Sequence, residues 1–323
     1  MDLLSLAATN LTSPVVLFFV LGFAAALARS DLSVPEAVAK GISLYLLLAI
    51  GFKGGAGVAA SGLDAKLALT LLAGLILSGG IPFLAFALLR IMTRLSVTDA
   101  AAVAAHYGSI SIVTFVAMTS LLDGRGLPYE GYMVAVAAVM EAPAILSALV
   151  IAARTGAGRS FDGELLREVL LNGSIVLLTG AFAIGWITGE AGLERIAPFI
   201  VAPFQGVLCL FLLDMGLIAA RGLRGSARDL NAGIILFGIL MPLIGGTIGT
   251  ATGWALGLST GGIAILATLS ASASYIAVPA AMRVAMPKAN PGIYLTLSLG
   301  VTFPFNLTVG LALYLAAAQM IGG

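Results

Sequence analysis

The sequence predicts an all-α integral membrane protein with about ten transmembrane helices. Of its 323 residues, 60% are hydrophobic and only 10% are charged, and the mean hydropathy is +1.11. A water-soluble globule of this length cannot hide so much apolar surface, so lipid must solvate most of the chain. Apolar windows of about 20 residues recur from one end to the other. An internal repeat then divides the predicted helices into two sets of five.

The predicted spans follow the apolar windows along the chain. They lie at residues 14–29, 34–58, 66–90, 97–121, 130–153, 172–190, 197–221, 230–257, 261–286 and 290–319. The first window ends in a stretch that faintly resembles a signal-peptidase site. Because no basic residue precedes it and an Arg follows it, we interpret it as a span and not as a cleaved signal.

The positive charges distinguish the two sides of the membrane. Of the sixteen Lys and Arg residues, twelve fall in one set of alternate loops and four in the other. The positive-inside rule makes the richer set cytoplasmic, which predicts that both termini lie outside. The cytoplasmic set is Arg29, Lys40, Arg90, Arg94, Arg154, Arg159, Arg167, Arg221, Arg224, Arg228, Arg283 and Lys288. The outer set is Lys53, Lys66, Arg125 and Arg195.

Three short stretches recur in the same order in the two halves. "YLLLAIGFKGGAG" resembles "LFLLDMGLIAARG" at an offset of 165 residues, and "GSISI" from Gly108 resembles "ASASY" from Ala271 at an offset of 163. Further on, Glu141 aligns with Asn306, again at 165. Three matches in register indicate a duplication.

The duplication predicts the domain organisation. Since each copy holds an odd number of helices, the second must cross the membrane in the opposite direction to the first. We expect a first repeat at residues 1–153, a short cytoplasmic linker at 154–171 and an inverted second repeat at 172–323. The two repeats would form one membrane domain.

The paired Gly- and Ser-containing stretches predict that the fourth and ninth helices are discontinuous. Gly108 weakens a helix, serines compete for backbone hydrogen bonds, and Pro279 removes a donor in the second stretch. Two half-helix N-termini at a common centre would suit an anion, and the freed oxygens would suit Na⁺. In the alternative interpretation, which stays open here, these small residues only let helices pack closely.

Isolated polar side chains inside the spans invite separate interpretations. Glu141 should face a cavity or a partner, unless it lies at the membrane interface with access to water. We interpret Lys53 and Asp214 as structural charges. His106 is the only histidine, and we expect it to serve helix packing or to bond a neighbouring hydroxyl, because Ser109 three residues later lacks the orienting acid of a catalytic pair.

Several classes of function are excluded by composition. A net charge of +1 provides no basic face for nucleic acid. The single Cys209 can form neither an internal disulfide nor a thiolate metal site. No nucleophile elbow, zinc-protease or phosphate-loop motif supports an enzyme, and no cofactor is expected.

Long stretches of the chain resemble the sodium-dependent bicarbonate transporter family. They are "VPEAVAKGISLYLLLAIGFKGG", "GSISIVTF", "LPYEGY" and "SASASYIAVPAAMRVAMPKANPGIYLTLSLGVTFPFN". The resemblance implies a bacterial plasma-membrane protein, usually a homotrimer, with ten helices in an inverted five-plus-five fold. Helices 3–5 and 8–10 would form a core part, and helices 1, 2, 6 and 7 a gate part.

The resemblance also implies the site residues. By motif position, the anion site falls at Gly108, Ser109, Ile110, Ser111, Ala271, Ser272, Ala273 and Ser274. Sodium ligands, for Na⁺ as the coupling ion, fall among Ser111, Thr114, Glu141, Ser272, Ser274 and Asn306. Cyanobacterial members have a long insertion between helices 5 and 6 and tend to have Asp in place of Glu141. The short linker here disfavours docking of their PII-like regulatory protein.

The function that we expect is sodium-coupled import of bicarbonate by alternating access of the core against the gate. An alternative is sodium-coupled symport of another small anion or organic acid, because no Arg or Lys at the breaks dictates the charge or size of the solute. A third possibility, an intramembrane enzyme or a sensor subunit, would depend on His106.

Overall fold

The structure is a computed structural model that describes residues 11–62, 64–141, 143–155, 167, 171, 173–225, 230–275 and 277–322. Every regular element among these residues is a helix. Eight helical segments are long and apolar enough to cross a membrane, and Pro14–Leu27 and Thr260–Ser270 are shorter apolar helices. The prediction of an all-α membrane protein is therefore confirmed. Most of the predicted linker at 154–171, with Arg159, lies outside the described residues, as does Arg228.

We number the helices in chain order. They are α1 (Pro14–Leu27), α2 (Glu36–Ser61), α3 (Ala65–Met92), α4 (Val97–Gly108), α5 (Ile112–Asp123), α6 (Met133–Val139), α7 (Pro143–Thr155), α8 (Gly173–Ile200), α9 (Phe204–Gly225), α10 (Ala232–Ala255), α11 (Thr260–Ser270), α12 (Ala277–Ala285) and α13 (Pro291–Ile321). The last helix contains two π-helical segments, Thr296–Thr302 and Asn306–Gly310.

Polar residues at the loops determine where several helices begin. The Asp64 carboxylate accepts a hydrogen bond from the Leu67 amide at 2.7 Å, and Asn231 caps α10 in the same way through the Ile234 amide at 3.0 Å. Such caps satisfy amides that have no partner within their own helix. At Gly189, where φ is +59°, α8 departs from helical geometry. The predicted sixth span ends one residue later.

Two pairs of helices approach each other closely at glycines. A side chain at Gly55 of α2 would meet the backbone of Phe182 and Trp186 in α8. A side chain at Gly216 of α9 would meet the backbone of Phe19 and Phe23 in α1. Small residues at such crossings let helix backbones come together in a membrane, where van der Waals packing replaces the hydrophobic effect between helices.

The broken helix formed by α4 and α5 lies at the centre of the molecule. The apolar window of Val97–Asp123 is fully buried, whereas only 33% of the window in α3 and 22% of that in α8 is buried. Side chains on the outer helices are correspondingly exposed, with Ile91 and Ile187 each 81% exposed. Lipid can cover such apolar surface, so the polar features of α4 and α5 are held away from it.

We predict that Gly216→Ala destabilises the protein, because its new methyl group would overlap the backbone of α1 at Phe19. Overpacking of this kind costs about 2 kcal/mol, which thermal unfolding in detergent micelles would detect. Gly206→Ala in the same helix is the matched control, since nothing lies within 4 Å of its new methyl group. Equal unfolding temperatures for the two variants would contradict the close crossing of α1 and α9.

Candidate functional site

The first break lies between α4 and α5. The backbone is extended at Ser109 (φ −86°, ψ 149°) and at Ser111 (φ −101°, ψ 108°). The Ser111 hydroxyl then caps α5 by accepting a hydrogen bond from the Thr114 amide at 3.2 Å. Backbone groups between the two helices are thereby released from the helical hydrogen-bond pattern, and all three residues from Ser109 to Ser111 are buried.

The second break lies between α11 and α12. Residues 272–275 are not helical, and α12 begins at Ala277. The Ser272 hydroxyl donates to the Thr268 carbonyl at 2.6 Å, and the Ser272 amide donates to the Leu269 carbonyl at 3.2 Å. Ser272 therefore completes the last turn of α11.

His106 joins the two breaks. The Ser274 amide donates to the His106 carbonyl at 2.7 Å, and His106 Nδ1 lies 2.5 Å from the Ser274 carbonyl oxygen. Because a carbonyl can only accept, Nδ1 must carry the proton. The imidazole also stacks on Tyr294 with ring centroids 4.8 Å apart. The hydrogen-bond partner of His106 is thus a carbonyl across the crossing and not a neighbouring hydroxyl, and its stacking on Tyr294 agrees with the other role that we expected, helix packing.

A small cavity lies where the two breaks meet α2 and α8. From the breaks, and from the segment between α6 and α7, its lining includes Ile110, Ser111, Glu141, Ser274 and Tyr275. From the two packed helices, its lining includes Leu47, Ser174 and Leu178. Its volume of about 10 Å³ gives room for about one water molecule. A solute larger than water would therefore need α2 and α8 to move relative to the breaks.

Glu141 is the acidic group of the cavity, and it is only 7% exposed. The Ser109 hydroxyl is its neighbour, yet neither Glu141 Oε2 nor Ser109 Oγ has a partner at hydrogen-bonding geometry in the described part of the chain. A buried polar oxygen without a partner is costly. The site is therefore suited to a cation that would satisfy both oxygens.

Asn306, which aligns with Glu141 in the sequence, has a different environment. Its Nδ2 donates to the Ala271 carbonyl at 2.9 Å, and its Oδ1 accepts from the Tyr314 hydroxyl at 2.7 Å. The amide therefore holds the end of α11 and does not line the cavity. Tyr314 was not among the predicted residues, although its position eight residues after Asn306 places both on one helix face.

The remaining predicted residues divide into two groups. Ile110, Ser111, Glu141 and Ser274 line the cavity together, whereas the other predicted residues do not. A side chain at Gly108 would meet Pro82 and the Ser78 carbonyl of α3, so this glycine does permit close packing. Thr114 donates to the Ser111 hydroxyl at 2.9 Å. No sequence signal marks Leu47, Ser174 and Leu178, whose side chains reach the cavity only through packing.

We predict that His106→Phe lowers stability, because it keeps an aromatic ring beside Tyr294 but leaves the buried Ser274 carbonyl without its side-chain donor. The loss should be about 2 kcal/mol in thermal unfolding. His106→Asn is the control, since its amide can still donate and should recover part of the stability. If the Phe variant is as stable as the parent protein, the imidazole bond does not hold the breaks together.

Comparison with known proteins identifies the family. A comparison with individually curated proteins gives no match. The family model of the Na⁺-dependent bicarbonate transporter superfamily matches residues 14–319, nearly the whole chain and both breaks. The chain therefore belongs to the Na⁺-dependent bicarbonate transporter superfamily, and it is a multi-pass membrane protein of a transporter family and not an enzyme.

Proposed function

We propose that this protein imports bicarbonate together with Na⁺ by alternating access. The observation that carries the proposal is the cavity in which both helix breaks and Glu141, one of whose buried oxygens has no partner in the described part of the chain, meet two helices, α2 and α8. A solute there would lie between elements that can move relative to one another. Membership of the superfamily indicates bicarbonate as the solute and Na⁺ as the coupling ion.

The anion site of the proposal lies at the two half-helix N-termini. α5 begins at Ile112 and α12 at Ala277, each directly after a break. The positive ends of helix dipoles and the free amides of the first turn favour a small anion. Ser111 and Ser274 line the cavity between them, and their hydroxyls can donate to bicarbonate oxygens or accept from its O–H.

The Na⁺ site of the proposal is centred on Glu141. A carboxylate and neighbouring hydroxyl oxygens are hard ligands of the kind that Na⁺ prefers. Ser111 shares the cavity with Glu141, and Thr114 is hydrogen-bonded to Ser111. Ser272 and Asn306 do not line the cavity, so their oxygens would contribute only after rearrangement.

Electrical balance favours such coupling. Moving one negative charge into a cell that is negative inside costs about 2.3 kcal/mol per 100 mV. One Na⁺ that travels with the anion cancels this charge, and the sodium gradient can then drive accumulation. We assign a ratio of one Na⁺ to one bicarbonate on this ground.

The packing supports the inverted repeat in this proposal. α2 packs against α8 as α9 packs against α1, and α3 packs against α4 as α10 packs against α11. In each case, one pair becomes the other when every predicted span is replaced by the span at the same place in the other repeat. At finer scale, Gly74 faces Val136 and Gly238 faces Val301. These two pairs are related by offsets of 164 and 165 residues.

The loop contacts support ten spans with both termini outside. Each of four hydrogen bonds between distant helix ends or loops joins segments that we place on the same side of the membrane. On the outer side they join Glu130 to Ser259 and Thr260 to Gly322. On the cytoplasmic side they join Asp99 to Asn290 and Arg221 to Leu32. If the prediction had missed one span, it would have placed hydrogen-bonded partners on opposite sides of the membrane.

The proposal includes a homotrimer in a bacterial plasma membrane. This part comes from the family resemblance, and the apolar surface of α8 can serve either lipid or a second copy, since Trp186 and Phe199 are 46% and 62% exposed. A PII-like regulator would have to contact the cytoplasmic face without the long insertion between spans five and six.

We predict that the purified protein in liposomes takes up labelled bicarbonate only when an inward Na⁺ gradient is imposed. Replacing Na⁺ by K⁺ or choline should abolish uptake, because neither fits a site built for a small hard cation. Uptake of equal rate without Na⁺ would overturn the proposal. If an excess of another small anion or organic acid abolishes bicarbonate uptake and is itself taken up faster, the solute is that anion.

We predict that Glu141→Gln weakens Na⁺ binding about tenfold, which corresponds to about 1.4 kcal/mol, because it removes the negative charge that the cation would neutralise. The Na⁺ dependence of uptake and the Na⁺-induced rise in unfolding temperature both measure this loss. Without Na⁺ the variant should be at least as stable as the parent, since a buried unpaired charge is removed. Glu190→Gln, at an exposed position of α8, is the control that should change neither property. An unchanged Na⁺ response in Glu141→Gln would exclude this residue as the cation site.

A further inference from the structure

Lys53 is exposed although it lies well inside a membrane-length helix. It precedes the end of α2 by eight residues, or about 12 Å at 1.5 Å per residue. A lysine ammonium at that depth needs water, because a charge facing lipid is expensive. We therefore expect the exposed side of Lys53 to meet water at the outer ends of α5 and α9, where Asp123 and Phe204 lie, and we call this expected region the recess.

The surroundings of Lys53 leave its charge available. The ammonium lies 4.8 Å from the centroid of the Phe204 ring at the start of α9. Asp123 at the end of α5 acts on it electrostatically, but no carboxylate in the described part of the chain lies within 4.0 Å of the ammonium. The interpretation from sequence was a structural charge, and the close ion pair that such a charge can form is not seen in the described part of the chain.

The recess would lie on the outer side of the cavity. α2 contributes Leu47 to the cavity and, six residues or about 9 Å further on, Lys53. α5 likewise contributes Ile112 to the cavity and Asp123 at its outer end. The same two helices therefore run from the cavity to the residues beside the expected recess, and we call the direction along them the α2–α5 seam.

We propose that Lys53 is an anion-capture residue at the outer end of the α2–α5 seam. Its ammonium would attract and briefly hold a small monovalent anion before that anion passes to the cavity. This inference rests on the proposed function, for which it adds a residue outside the helix breaks. Asp123 limits the strength of capture, since its carboxylate opposes the field of Lys53, and so permits the anion to leave.

The kinetic test compares single charge changes. We predict that Lys53→Gln raises the KM for bicarbonate about threefold, with the maximal rate unchanged, because a fixed charge beside a path raises the local concentration of its counter-ion. Lys53→Arg should keep the parent KM. Lys66→Gln removes a lysine from the start of α3 and is the matched control. Added choline chloride should reduce the difference by screening.

A second measurement reports the electrostatic potential near Lys53 and does not depend on transport. In a Cys209→Ala background, Gln205→Cys places a thiol next to Phe204. We expect an impermeant anionic methanethiosulfonate to react faster than a cationic one, and Lys53→Gln should lower this rate ratio about threefold. Lys66→Gln should leave the ratio unchanged.

The outcomes separate this inference from the proposed function. An unchanged rate ratio in Lys53→Gln, or a KM that stays the same while only the maximal rate falls, would overturn anion capture even where bicarbonate uptake depends on Na⁺. If Lys53→Gln lowers the rate ratio but the parent protein takes up no bicarbonate, anion capture is supported and the proposal that bicarbonate is the solute is overturned.

Discussion

The constraint on which this structure depends is that every backbone amide and carbonyl inside a bilayer needs a partner. Helical continuity is broken at Ser109–Ser111 and at Ser272–Ser274, and each of these breaks supplies what the other lacks. The Ser274 amide and carbonyl bond the carbonyl and imidazole of His106. Two interruptions that would each be unstable alone thus become one stable crossing, and the polar groups left over line a cavity.

The rest of the fold protects that crossing from lipid. The apolar window of the broken helix is fully buried, and the helices around it approach closely because glycines remove side chains where backbones cross, as at Gly55 and Gly216. Close packing on the outside and released backbone groups at the centre are therefore two uses of the same small residues. Gly108 serves the first use and Ser111 the second, although they are three residues apart.

Sequence reasoning could find the breaks but not their partners. Apolar windows and paired small residues predict spans and interruptions, because these depend on local composition. The role of His106 depends on Ser274, 168 residues away, and the lining by Leu47 and Leu178 depends on how α2 and α8 cross. The sequence interpretation of Lys53 as a structural charge could use only its position within a span, because the exposure of its side chain depends on how α2 packs.

Alignment of the two repeats predicted equal roles for Glu141 and Asn306, and their surroundings differ. The Asn306 amide donates to the Ala271 carbonyl and accepts from Tyr314, while a Glu141 oxygen remains unpaired beside Ser109. An amide can both donate and accept, so it can hold a helix end, whereas a carboxylate can only accept and would be completed by a cation. In the proposed mechanism, duplication therefore supplies the geometry of two breaks, and the difference at this one position would make Asn306 a fixed support and Glu141 a site for charge.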